Sequence, residues 1–112
     1  MIVNDICQKI QASVVCGDGN KPFAGVYVGD LLSRAMSHVA CDNLWVTIMS
    51  NINVVAVATL TEPAAVILAE GVVLQKEAFA GAEENGITVL VSPLSAYEIC
   101  ACLHEASMGE AI

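Results

Sequence analysis

The chain is 112 residues long, 56% hydrophobic, and carries four lysines and arginines against twelve acidic residues, for a formal net charge of −8. That length suits one domain able to bury a core without disulfides or metal, and the negative balance argues against nucleic acid or an anionic membrane as a partner. The longest apolar runs, residues 54–58 and 64–69, fall far short of the roughly 20 residues of a membrane-spanning helix.

Asn4, Asp5 and Lys9 interrupt the start of the chain, so no signal peptide is read there and the expected compartment is the cytoplasm. Asn4 is positioned to cap a short first helix running to residue 10, with Ile6 and Ile10 on one face. Residues 12–16 read as a strand, followed by the turn-rich Gly17, Asp18, Gly19 and Asn20 and a second strand at 25–28. Asp30 is then expected to cap a helix over 31–39, whose Leu31, Leu32, Ala35, Met36 and Val39 form an apolar stripe turned to the core. Residues 44–49 read as a strand.

Residues 51–60 are ambiguous by propensity, because Val54, Val55 and Val57 favour a strand while Asn51 or Asn53 could cap a helix rich in alanine. Chain order decides for the helix. It lets 64–69 lie parallel to 44–49 through a right-handed crossover, whereas a strand would require a hairpin with weak turn chemistry. Glu62 and Pro63 end this helix. A buried strand at 64–69, a helix at 75–85 stopped by Gly86, and a buried strand at 87–91 follow. Ser95 and Glu98 form a capping box, and Leu94 with Ile99 a hydrophobic staple, for a last helix over 96–106. The alternation of elements predicts an open α/β sheet. The surplus of apolar residues is expected in strands covered on both faces and in a subunit interface, hence a homodimer.

In such a sheet, ligands are expected outside the C-terminal ends of parallel strands. Those ends carry Gly29 and Asp30, Asn51 and Asn53, Glu70 and Gly71, and Ser92 and Ser95. These eight are the candidate binding residues, suited to a nucleotide or similar small anion held by hydroxyls, amides and helix N-termini. Against this stands the plainer reading of Asp30, Asn51 and Ser95 as helix caps. Glu70 is the carboxylate to test first as an acid or base, with a solvated loop position as the plainer alternative.

No catalytic set is expected. His38 and His104, the two histidines, fall late in helices with no nucleophile elbow nearby. Trp45 and Tyr97 are flat enough to stack on a base, but Trp45 sits in an apolar strand and reads as core. Five cysteines, an odd number, read as free thiols in a reducing compartment. Cys100 and Cys102 diverge by about 200° on a helix and cannot share an ion. Cys100 with His104, and His38 with Cys41, have workable spacing yet read as core or surface residues. No metal or cofactor is expected.

The blocks GVYVGDLLSRAM, LWVTIMSNINVVAVATL, AAVILAEG and ITVLVSPLSAYEI together resemble the DRTGG domain family over nearly the whole chain. Of the motif that names the family, Gly25 matches, while Asn20 and Lys21 stand where Asp and Arg would be. The resemblance implies that residues 1–112 form one small α/β domain, its mostly parallel sheet flanked by helices, like the N-terminal domain of HPr kinase. It is also similar to the domain inserted beside CBS modules in some regulatory pyrophosphatases. Kinase or hydrolase activity belongs to other domains of those proteins, and no Walker A motif is present here. The implied role is non-enzymatic, a regulatory or assembly domain that self-associates, with a small-ligand sensor as the alternative.

Overall fold

The computed structural model describes residues 1–109. The elements run α1 (Val3–Cys7), β1 (Ser13–Cys16), β2 (Val26–Val28), α2 (Leu32–His38), β3 (Leu44–Thr47), α3 (Ile52–Thr61), β4 (Ala65–Leu68), α4 (Lys76–Glu84), β5 (Val89–Val91) and α5 (Ala96–Gly109). One five-stranded sheet has the order β1-β5-β4-β3-β2. Strands β2 to β5 are mutually parallel, and β1 joins β5 antiparallel with an irregularity between Val14 and Cys16.

The segment ambiguous by propensity is a helix, α3, capped by Asn51 Oδ1 accepting from the Asn53 amide at 3.0 Å. It connects β3 to β4, whose residues pair from Leu44 with Ala65 to Thr47 with Leu68. Glu62 ends it in a left-handed conformation, φ 55°. Helix packing sorts the core into two layers. Val54, Val55, Val57 and Ala58 of α3 join Ala35, Ala78 and Ala82 over Trp45, Val66 and Leu68. On the opposite face Ile6, Ile99 and Leu103 cover Leu44, Val46, Ile67 and Leu90. Strands β3 and β4 are buried at every position, as the doubly covered centre of a parallel sheet requires.

Two expected caps are not made. Helix α1 starts after Ile2, whose amide donates to Asp5 Oδ2 at 2.7 Å, because a carboxylate at the third helical position can reach back over the first turn. Asn4 lies inside the helix and donates to Asn20 Oδ1 instead, and the helix stops at Cys7 rather than at residue 10. Helix α2 begins at Leu32 with Leu31 at its N-cap and no side-chain cap. The stripe expected on α2 is only half covered: Ala35 and Val39 are buried, but Leu31 is 64% and Met36 52% exposed. Helix α2 flanks the sheet at its β2 edge, so part of its apolar face is left uncovered among the described residues. The Ser95 and Glu98 capping box is formed in both directions, at 3.0 and 3.1 Å.

Candidate functional site

The order of β2 to β5 across the sheet follows their order along the chain. Each right-handed crossover therefore moves the chain one strand further in the same direction, and α2, α3 and α4 share one face. A doubly wound sheet opens a crevice where strand order reverses and neighbouring loops leave in opposite directions. Strands β2 to β5 contain no such reversal. The exits of the parallel strands lie along one edge of the sheet without parting.

The expected site residues occupy these exits, and the side chains of Asp30, Asn51, Ser92 and Ser95 serve the fold. Asp30 follows β2 and accepts from Thr47 Oγ1 at 2.7 Å and from the Ile48 amide at 2.9 Å. Its carboxylate thus ties the end of β2 to the end of β3, which corrects its expected role as the cap of α2. The Gly29 carbonyl accepts from Trp45 Nε1 at 3.0 Å, and its amide donates to the Val46 carbonyl at 3.1 Å. Trp45 is fully buried. Asn51 caps α3, with Asn53 exposed beside it.

At the next exit, Glu70 and Gly71 take left-handed conformations, φ 61° and 70°. Their amides donate to the Leu94 and Ser92 carbonyls at 2.8 and 2.9 Å, which laces the loop after β4 to the loop after β5. Glu70 is exposed. Ser92 is 1% exposed, and its hydroxyl donates to the Ile10 carbonyl at 2.6 Å while accepting from the Leu94 amide at 3.1 Å. An anion cradle needs unoccupied N–H groups. The amides of Gly29, Ile48, Asn53, Glu70, Gly71, Leu94 and Ser95 all have acceptors within the chain.

Of the eight candidates, Gly71 and Ser92 meet at a cavity of about 240 Å³, which Val72, Val73, Val91 and Pro93 make largely apolar. Gly29, Asp30, Asn51 and Asn53 line neither it nor the two cavities described next. One of these, about 340 Å³, lies at the opposite end of the sheet and brings Lys21 together with Asp42 and Glu62. Lys21 Nζ donates there to the Gly86 carbonyl at 3.0 Å, and the Asp42 amide to the Glu62 carbonyl at 3.0 Å.

The other, a groove of about 450 Å³, runs between β2 and α5 and is lined by Val26, Val28, Cys100, Leu103 and His104. The sequence places Val26 and Val28 in a strand, with the apolar surplus expected both in strands covered on both faces and in a subunit interface. The two valines are 39% and 51% exposed because β2 is the edge of the sheet and α5 packs against β3, leaving its flank open. A strand's place at an edge is set by topology and leaves no mark on a run as short as Val-Tyr-Val.

Both histidines sit at the surface. His38 Nδ1 lies 2.9 Å from the Arg34 carbonyl and from Ser37 Oγ, with its ring stacked near Tyr27 at a centroid distance of 6.3 Å. Burial pushes the thiols of Cys7, Cys16 and Cys100 up, and for Cys41, which is exposed, the neighbouring Asp42 charge does so. All five cysteines are free. Among the described residues no three His, Cys, Asp or Glu side chains are grouped to hold a metal, and no helix is long and apolar enough to cross a membrane.

These features define a small α/β domain with a singly wound parallel sheet, an antiparallel edge strand, and strand exits closed by their own hydrogen bonds. The DRTGG domain family model matches residues 5–106, and the chain belongs to that family. A similar solved structure holds the CBS and DRTGG domains of the regulatory region of Clostridium perfringens pyrophosphatase, complexed with its activator diadenosine tetraphosphate. It superposes with a TM-score of 0.72 at 14% identity, over 91% of this chain and 45% of that one. The present chain thus spans less than half of that regulatory region. Comparison with curated proteins returns no match.

Proposed function

We propose that the chain is a non-enzymatic regulatory or assembly domain that works by pairing with a second copy of itself. The observation that carries this reading is the apolar surface left at the β2 edge of the sheet, where Val26 and Val28, 39% and 51% exposed, line a groove with Cys100 and Leu103. Apolar groups gathered in this way mark an interaction surface in a chain that must otherwise stay in solution. The side chains of Asp30, Asn51, Ser92 and Ser95 are occupied in holding strand exits and helix starts together, which supports a non-catalytic role for these four. Sedimentation equilibrium at micromolar concentration should give twice the 11.7 kDa chain mass. A single-chain mass throughout would refute the reading.

A second reading, a sensor for an adenine nucleotide or similar small ligand, is favoured by the cavity that Gly71 and Ser92 share and by the ligand of the pyrophosphatase regulatory region. That cavity offers apolar walls, so the group entering it would be a flat or apolar one, with any phosphates left toward solvent. Thermal unfolding against a nucleotide panel that includes diadenosine tetraphosphate tests it. Stabilisation that rises with concentration supports this reading, and none with any compound overturns it.

A further inference from the structure

We infer that the self-association proposed above, on which this inference rests, runs through the free edge of β2, which pairs antiparallel with β2 of a second copy about a two-fold axis at Tyr27. The ladder to β3 shows which groups are free. The Leu44 amide donates to the Gly25 carbonyl at 3.0 Å and the Gly29 amide to the Val46 carbonyl at 3.1 Å, so residues 25, 27 and 29 face β3. Because bonding direction alternates along a strand, the N–H and C=O of Val26 and Val28 point away from the sheet. An edge of this kind is a template for a further strand unless something blocks it.

Nothing on β2 blocks it. At the other edge, β1 bends at the irregularity between Val14 and Cys16, a device that spoils regular pairing. Residues 22–29 carry no charge, no lysine and no such irregularity, and their one proline, Pro22, precedes the strand. In a chain of net charge −8, a neutral segment is where a second copy of the same charge can approach without repulsion. Antiparallel pairing with Val26 opposite Val28 of the second copy is symmetric and lets the two residues exchange both hydrogen bonds. The same register sets the two Tyr27 residues opposite each other as a non-bonded pair, and Asp30 opposite Ala24 of the second copy rather than opposite another carboxylate. Val26 and Val28 of both copies then form one apolar row. The row continues the floor of the groove walled by Leu103 and Cys100.

Residue-resolved amide hydrogen exchange on the unmodified chain tests this, alongside sedimentation of Val28→Lys and of Leu60→Lys as a control. Both side chains are exposed, at 51% and 69%, so each variant keeps a folded monomer. At a total chain concentration ten times the dimer dissociation constant about a fifth of the chains remain monomeric, so the Val26 and Val28 amides should exchange roughly fivefold more slowly there than at high dilution. Val28→Lys should sediment as a monomer and Leu60→Lys as a dimer. A dimer whose Val26 and Val28 amides exchange freely, or that survives Val28→Lys, overturns this surface and leaves self-association standing. An unmodified chain that is monomeric at every concentration overturns both.

Discussion

Replacing Asp30 by alanine separates its observed role from that of a helix cap. Its Oδ1 accepts two hydrogen bonds, from Thr47 Oγ1 at 2.7 Å and from the Ile48 amide at 2.9 Å. Ile48 is exposed, so its amide rehydrates when the carboxylate is gone and adds little to the cost. Thr47 is only 1% exposed, and its hydroxyl proton would lose its acceptor in a buried place. A hydrogen bond to a charged group contributes about 1.5–3 kcal/mol net, and an orphaned buried donor costs about 1–3 kcal/mol. Asp30 is itself exposed, which puts the expected loss near the middle of that range, about 2 kcal/mol, against about 1 kcal/mol for an ordinary lost cap. Urea unfolding followed through the fluorescence of Trp45, the single and fully buried tryptophan, measures this at one fixed protein concentration. A double-mutant cycle with Thr47→Val should return a coupling of about 1.5 kcal/mol, since the two changes remove the same bond. Strictly additive effects, within about 0.3 kcal/mol, would refute the reasoning.

Gly17 has φ +85°, and a Cβ there would collide with the Thr88 backbone and stand 2.7 Å from the Ile87 carbonyl oxygen. Gly17→Ala should therefore cost more than about 3 kcal/mol in urea, whereas Gly86→Ala, at φ +67° with open space around it, should cost only the roughly 1–2 kcal/mol of left-handed strain. Equal losses would contradict the packing described for the turn after β1. The raised thiols of Cys7, Cys16 and Cys100 give a pH dependence. Above the unfolded thiol pKa of about 8.5, the unfolded chain releases protons that the folded chain keeps, so stability is full below that pH and declines above it. The melting temperature should fall between about pH 8.5 and 9.5 and fall less in a variant with all three cysteines replaced by alanine. A rise over that interval would contradict the assignment.

Much of the fold was legible because local rules and chain order agreed. A cap at Asn51 or Asn53 and the need for a crossover made 51–60 a helix despite its valines, Glu62 with Pro63 marked its end, and Ser95 with Glu98 marked the start of α5 within a residue. The two capping errors have a common cause. Asp5 and Asp30 each had a choice of partners, and the choice depended on which amide or hydroxyl the fold brought within reach. The candidate site was less legible. Sequence names which residues stand at strand exits, but it does not reveal that the sheet winds in one direction, and winding decides whether those exits part into a crevice. The same limit hid the surface of β2. Val26 and Val28 look like Val66 or Val89 in sequence, and only the sheet order makes them an edge.

Sedimentation equilibrium of the unmodified chain beside Val28→Lys over a wide concentration range tests the central claim most directly. The account predicts that the unmodified chain approaches twice 11.7 kDa while the variant stays at 11.7 kDa. Two superimposable profiles, whether both monomer or both dimer, would contradict it.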